Sequence, residues 1–167
     1  DQFQSEYAGY SGMMNGYGVG QSFTPQASPL TRLDFLLHIR GDYRPFRMRL
    51  WKWNTDYATT VAQAPLFEDR VSATGHNLEN LCTFFPRVPV DVGQLYYVEF
   101  DNSTGDGEWA WYKISDGTEH YPEGQLRVNN WPRQAMDLYF ASYTDPAGAP
   151  RIPSFESSDP SLPWTAP

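Results

Sequence analysis

The chain has 167 residues, a formal net charge of −8 and an aromatic content of 16%. This length suits one domain with a sizeable core, and no run approaches the roughly 18 apolar residues of a membrane span. The acidic balance argues against nucleic acid or an anionic membrane as a partner, because either would require a basic patch.

Residues 1–20 are rich in Gly and Tyr and are expected to form a loop or an irregular strand. The LTRLDFLLHIRG segment that follows is the most apolar run of the chain. Leu33, Phe35, Leu37 and Ile39 alternate there at period two, which predicts a strand with one buried face.

The FRMRLWKW segment alternates in the same way. One face carries Phe46, Met48 and Leu50, and the other carries Arg47, Arg49, Trp51 and Trp53. Further strands are predicted in PLFEDRVSA, LCTFFPRVPV, QLYYVEFD, GEWAWYKIS, GQLRVNN and MDLYFASY. About eight or nine short antiparallel strands at this spacing predict an all-β sandwich or barrel. The single cysteine, Cys82, lies within one of these runs, so we expect a buried thiol.

The composition changes at residue 145. Residues 145–167 carry six Pro and little periodicity, which is typical of an extended segment that forms no core. We therefore expect one domain over residues 1–144. The remainder is expected to be a linker, or a tail that Phe155 and Trp164 anchor to the domain.

Four of the six tryptophans occur as two pairs at strand spacing, Trp51 with Trp53 and Trp109 with Trp111. Residues two apart in a strand point to the same face. An aromatic face beside hydrogen-bonding groups suits a pyranose, which has an apolar C–H face and an edge of hydroxyls. The pairs therefore predict a carbohydrate-binding face, although a tryptophan pair on a strand is also often structural.

If the strands that carry these residues are neighbours, one sheet face collects indoles together with cationic and amide side chains. The expected stacking residues are Trp109, Trp111, Tyr121 and Trp131. The expected hydrogen-bonding residues are Arg127, Asn129 and Lys113, which would also suit uronic acids or sulfated sugars.

Four oxygen-bearing residues are candidate ligands of a structural calcium ion: Asp101, Asn102, Asp106 and Asp137. Their spacing is not that of an EF-hand, and ordinary turn-forming acids explain them as well. The three histidines are scattered, which argues against a transition-metal site.

Catalysis would require two carboxyl groups on either side of a glycosidic bond. Glu99 and Glu108 lie on consecutive predicted strands and are the candidates for such a pair. Acids near the two ends of one turn also commonly serve only to solvate it.

Several segments resemble the galactose-binding-like β-sandwich modules of bacterial glycoside hydrolases and polysaccharide lyases. They are GQSFTP, LWKWNTDYATTVAQAPLF, GQLYYVEFDNSTG, EWAWYK and QLRVNNWPRQAMDLYFASY. The resemblance implies a jelly-roll sandwich that is non-catalytic, secreted and linked to a catalytic domain. It also implies a structural role for Trp51 and Trp53 and a contribution of Asp137 to a structural calcium site.

The sequence therefore predicts a monomeric, non-catalytic carbohydrate-binding module that targets a linked enzyme to a polysaccharide. One alternative is a structural domain that packs on a neighbouring catalytic domain. A second alternative is a small jelly-roll glycosidase or lyase.

Overall fold

The computed structural model describes residues 2–4, 9–12, 18–39, 46–71, 78–101, 110–114, 121–128, 130–133 and 137–144. These residues form twelve strands and one short helix, α1 (Tyr57–Val61). The strands are β1 (Gln2–Gln4), β2 (Gly9–Gly12), β3 (Val19–Phe23), β4 (Leu30–Ile39), β5 (Phe46–Lys52), β6 (Phe67–Val71), β7 (Leu78–Phe84), β8 (Tyr96–Asp101), β9 (Ala110–Ile114), β10 (Gln125–Val128), β11 (Trp131–Arg133) and β12 (Phe140–Thr144).

The strands form two antiparallel sheets. The front sheet has the order β11-β10-β3-β8-β5-β6. The back sheet is built around β4, which pairs with β7 along one edge and with β12 and then β9 along the other. β1 and β2 extend the back sheet beyond β12 and β9.

The core lies between the sheets and is strongly aromatic. The ring of Phe35 in the back sheet meets that of Phe100 in the front sheet edge to face, with the ring centroids 4.8 Å apart. Phe84 and Phe140 flank Phe35 at centroid distances of 6.3 and 6.0 Å. Because both sheets contribute to one buried cluster, the predicted all-β sandwich is confirmed.

The chain crosses from one sheet to the other at most of its connections, as a jelly roll requires. There are more strands than the eight or nine predicted because several short ones lie outside the predicted strand segments. β1 and β2 come from the Gly-rich start. β11 contains Pro132, which an edge strand tolerates because its outer N–H groups need no ladder partner.

Helix α1 lies in the connection after β5, which the sequence indicated only as a long polar segment. Asp56 caps its first turn, because its carboxylate accepts a hydrogen bond from the Thr59 backbone N–H at 2.8 Å. Among the described residues, no helix has the length and apolarity required to cross a bilayer.

Cys82 is buried, as expected, and burial raises the pKa of its thiol to about 12. The thiol is therefore protonated and unreactive at neutral pH. The predicted linker, residues 145–167, lies outside the described residues.

Replacing Phe35 with Ala should lower the free energy of unfolding by about 3–5 kcal/mol, because the change leaves a cavity where three aromatic rings meet. Urea titration followed by tryptophan fluorescence measures the loss. Phe85→Ala is the matched control, since Phe85 is exposed and should cost no more than about 0.5 kcal/mol. Equal losses for the two variants would contradict the location of the core.

Candidate functional site

The outer face of the front sheet carries the residues that alternate with the core residues of β5 and β8. Three cross-strand pairs lie on it: Trp51 with Tyr97, Arg49 with Glu99, and Arg47 with Asp101. The predicted outward orientation of the alternate residues of FRMRLWKW is therefore confirmed for these three pairs. Cross-strand partners on one face are close enough to interact.

The charged pairs form a connected ion-pair network. Arg47 Nη2 lies 3.0 Å from Asp101 Oδ2, and Arg49 Nη2 lies 3.2 Å from Glu99 Oε1. Arg49 also contacts Asp101, so one guanidinium bridges two carboxylates. The hydrogen bond from Arg47 to Asp101 raises the pKa of Arg47. Both arginines are consequently occupied by carboxylates of their own sheet.

Glu99 is a buried carboxylate under helix α1. Its side chain is 3% exposed, and its Oε2 accepts hydrogen bonds from Tyr57 Oη at 2.7 Å and from Tyr97 Oη at 3.2 Å. Burial raises the pKa of Glu99, although the bonds from Tyr57, Arg49 and Tyr97 favour the charged form. Burial and the Glu99 contact also raise the pKa of Tyr57. The carboxylate thus connects α1 to the sheet.

The aromatic rings beneath α1 are sealed from solvent. Trp51 is 1% exposed, stacks on Tyr97 and donates its indole N–H to the Gln63 carbonyl at 3.0 Å. Gly20 makes room for Tyr97, because a Cβ there would lie 2.6 Å from the phenol carbon and 2.1 Å from the Val98 carbonyl oxygen. Trp51 is therefore structural, as the family resemblance implied.

An open depression lies beside this sealed region, and we call it the Trp53 depression. Its volume is about 490 Å³. It is lined by Ser22, Trp53, Leu95, Gln125, Arg127 and residues 122–124. The half-buried Trp53 indole meets the ring of Tyr97 edge to face and also contacts the guanidinium of Arg127, which lies 4.8 Å from the indole centroid.

Two side chains in the Trp53 depression offer donors that the sheet does not use. Arg127 makes a single hydrogen bond within the described residues, from Nη1 to the Asn130 carbonyl at 3.4 Å. Gln125 uses its backbone groups on Ser22, while its side-chain amide has no partner in the described part of the chain. These free donors lie beside an aromatic ring, which is the combination that sugar recognition requires.

The prediction for Tyr121 is wrong. Its ring is 5% exposed, packs edge-on against Phe140 with centroids 5.2 Å apart, and belongs to the core. Its hydroxyl accepts a hydrogen bond from the Thr24 backbone N–H at 3.1 Å. The turn-rich surroundings suggested an exposed loop, and the described residues that follow, Pro122 and Glu123, do reach the surface.

The expected neighbourhood of the GEWAWYK and GQLRVNN strands is also wrong. Trp111 and Lys113 lie on β9, which pairs with β2 and β4 in the back sheet. Arg127 lies on β10 in the front sheet. Trp109, Asn129 and the side chains on β9 lie outside the described residues, so their roles as ligand contacts stay predictions.

Trp131 is 72% exposed but does not join the Trp53 depression. It pairs with Val128 across the β10–β11 ladder, and opposed residues share a face. Val128 packs on the core, so Trp131 lies on the inner side of the sheet, at its uncovered edge. Its role in binding stays a prediction.

The two described calcium candidates lie on opposite faces of the front sheet. Asp137 is buried and accepts hydrogen bonds from Gln21 Nε2 at 2.8 Å and from the Tyr121 backbone N–H at 3.2 Å. Asp101 is paired with arginines on the outer face. The other candidates, Asn102 and Asp106, lie outside the described residues, which contain no cluster of three metal-binding side chains.

Of the candidate catalytic pair, Glu99 is enclosed by the hydrogen bonds described above, and Glu108 lies outside the described residues. The Trp53 depression was missed as a site because the resemblance implied a structural Trp53. The available signal was the alternation in FRMRLWKW, which puts Trp53 on the outward face of its strand together with Arg47 and Arg49.

Comparisons with protein-family models, with curated proteins and with solved structures gave no significant match. The resemblance to carbohydrate-binding modules therefore stays a prediction.

Because the pKa of Glu99 is raised, the free energy of unfolding should depend on pH in a defined direction. The folded chain holds the Glu99 proton more tightly than the unfolded chain, where the pKa is near 4.5. The stability that Glu99 contributes is therefore fully present below pH 4.5 and is lost as the pH rises through the folded pKa. Relative to Glu99→Gln, the wild type should lose free energy of unfolding between pH 4 and pH 7.

Urea titrations of both proteins at several pH values measure this difference. Glu68→Gln, which removes an exposed carboxylate of β6, two strands away from Glu99, controls for the loss of one charge. A wild type that gains stability over Glu99→Gln as the pH rises would show that the hydrogen bonds outweigh burial at this site.

Proposed function

We propose that this chain is a non-catalytic carbohydrate-binding module whose sugar site is the Trp53 depression. The observation that carries the proposal is the combination in one open depression of an indole, a guanidinium and an amide whose donors are largely unused within the described part of the chain. Its volume of about 490 Å³ lies within the roughly 300–1,000 Å³ range of small-molecule sites.

In the proposed complex, different residues contact the apolar face and the polar substituents of the sugar. The exposed portion of the Trp53 indole takes the apolar C–H face of a pyranose. Arg127 and Gln125, which follow each other on the same face of β10, donate hydrogen bonds to the ring substituents. Because Tyr97 and Arg127 already hold the indole, little side-chain entropy is lost on binding.

The lining residues favour binding over bond cleavage. Glu123 is the single carboxyl-bearing residue among those that line the Trp53 depression, whereas most glycosidases place a pair of carboxyl groups around the scissile bond. Glu99 is enclosed, and its oxygens are engaged by three side chains of the sheet and α1.

In this proposal the module acts on a linked enzyme through effective concentration. A secreted catalytic domain joined through the Pro-rich residues 145–167 would be held on its polysaccharide without any new catalytic contact. The module would work as a monomer, and a calcium ion would at most have a structural role.

Replacing Trp53 with Ala should weaken polysaccharide binding by about 30-fold, because a central aromatic contact is worth about 2 kcal/mol or more. Affinity gel electrophoresis over a polysaccharide panel, followed by calorimetry with the best ligand, measures the effect. The melting temperature of each variant establishes that it is folded.

Trp131→Ala is the matched control, because it removes an exposed indole outside the Trp53 depression. It should bind as the wild type does. Loss of binding in Trp131→Ala, with Trp53→Ala unaffected, would move the sugar site to the sheet edge. Should Trp53→Ala fail to fold, Gln125→Ala tests the same depression without removing a packed ring.

A further inference from the structure

We propose that the Trp53 depression selects acidic sugars, and that Arg127 binds their anionic group. This inference rests on the proposed function and names the class of sugar. The shared chemistry is an anion with two or more oxygens, as in the carboxylate of a uronic acid or a sulfate ester.

Arg127 differs in its pairing from Arg47 and Arg49, which are also half-buried on the outer face of the front sheet. Arg47 and Arg49 are held by carboxylates of β8. Arg127 has no carboxylate within ion-pair distance among the described residues, and its one hydrogen bond goes to a backbone carbonyl. A guanidinium carries five donors, so most of its donors are available to a ligand.

The position of Arg127 is fixed before any ligand arrives. β10 lies between β3 and β11, and Arg127 is directly opposite Gly20, which has no side chain to cover it. Its guanidinium packs over Trp53. A half-buried cation that is already oriented forms a two-pronged contact with a carboxylate or sulfate at low entropic cost.

An acidic ligand requires a local cationic side chain of this kind because the protein as a whole is anionic. The net charge of −8 repels a polyanion at long range. Glu123 in the same depression also opposes an anion, and it is exposed and forms no ion pair with Arg127. Arg127 and Glu123 should therefore have opposite effects on acidic sugars and little effect on the choice among neutral ones.

The experiment uses pairs of polymers that share a backbone and differ in charge. Polygalacturonate is compared with its fully methyl-esterified form, and a sulfated galactan with its desulfated form. The wild type should bind at least one acidic polymer about tenfold more tightly than its neutral counterpart, and the two pairs distinguish carboxylate from sulfate.

Two variants test the assignment. Arg127→Gln should lower the affinity for the acidic polymer to that of the neutral one, and Glu123→Gln should raise it. Glu123→Gln should raise the affinity for an anion bound in this depression whichever cation holds it, so this variant tests the location of the anionic group and keeps that test available if Arg127→Gln does not fold. Arg70→Gln is the matched control, since Arg70 is exposed on β6, about 19 Å or four strand spacings away.

The outcomes separate the two proposals. Equal affinity of the wild type for charged and neutral forms would overturn the selection of acidic sugars and leave the carbohydrate-binding module intact. Arg127→Gln weakening both forms equally would do the same. Failure of every polymer to bind would overturn both.

Discussion

A buried carboxylate organises the outer face of the front sheet. A charge taken out of water is strongly destabilising unless hydrogen bonds replace its hydration. Glu99 has donors from three segments, Arg49 of β5, Tyr97 of β8 and Tyr57 of α1, which offset part of this cost, although burial still raises its pKa. The bond from Tyr57 connects α1 to the sheet at this group. Trp53 lies on the chain that leads from β5 to α1, where its backbone N–H donates to the Leu95 carbonyl.

The front sheet is buried on both sides over part of its area. Its inner side meets the aromatic core, and its outer side carries a smaller packed layer in which Trp51 and Tyr97 are sealed beneath α1. The Trp53 depression lies where this outer layer ends and the polar residues of β10 begin. A depression at such a boundary has a rigid base and one accessible aromatic ring. Its shape therefore depends on the packed residues beneath it, which lie out of reach of a ligand.

Local alternation in the sequence was sufficient to predict which residues of a strand face the core. Leu33, Phe35 and Leu37 point inward and Arg49 and Trp51 outward, because side-chain direction in a strand depends on nothing beyond the chain itself. Strand neighbours were not predictable in this way, since pairing is a long-range property. β9 lies in the back sheet and β10 in the front sheet, although the sequence allowed them to be neighbours. A distant hydrogen bond misled in the same manner: Tyr121 read as a loop residue because its partner, Thr24, is about a hundred positions away in the chain.

The two edges of the front sheet resist the addition of a strand from another molecule. At one edge, β11 contains Pro132, which has no N–H to offer to an incoming backbone. At the other edge, β6 carries the exposed charges of Glu68, Asp69 and Arg70 in succession, and an apolar strand that docked there would have to desolvate them. Even at high local concentration, both edges of this sheet therefore disfavour self-association of the protein through its own strands.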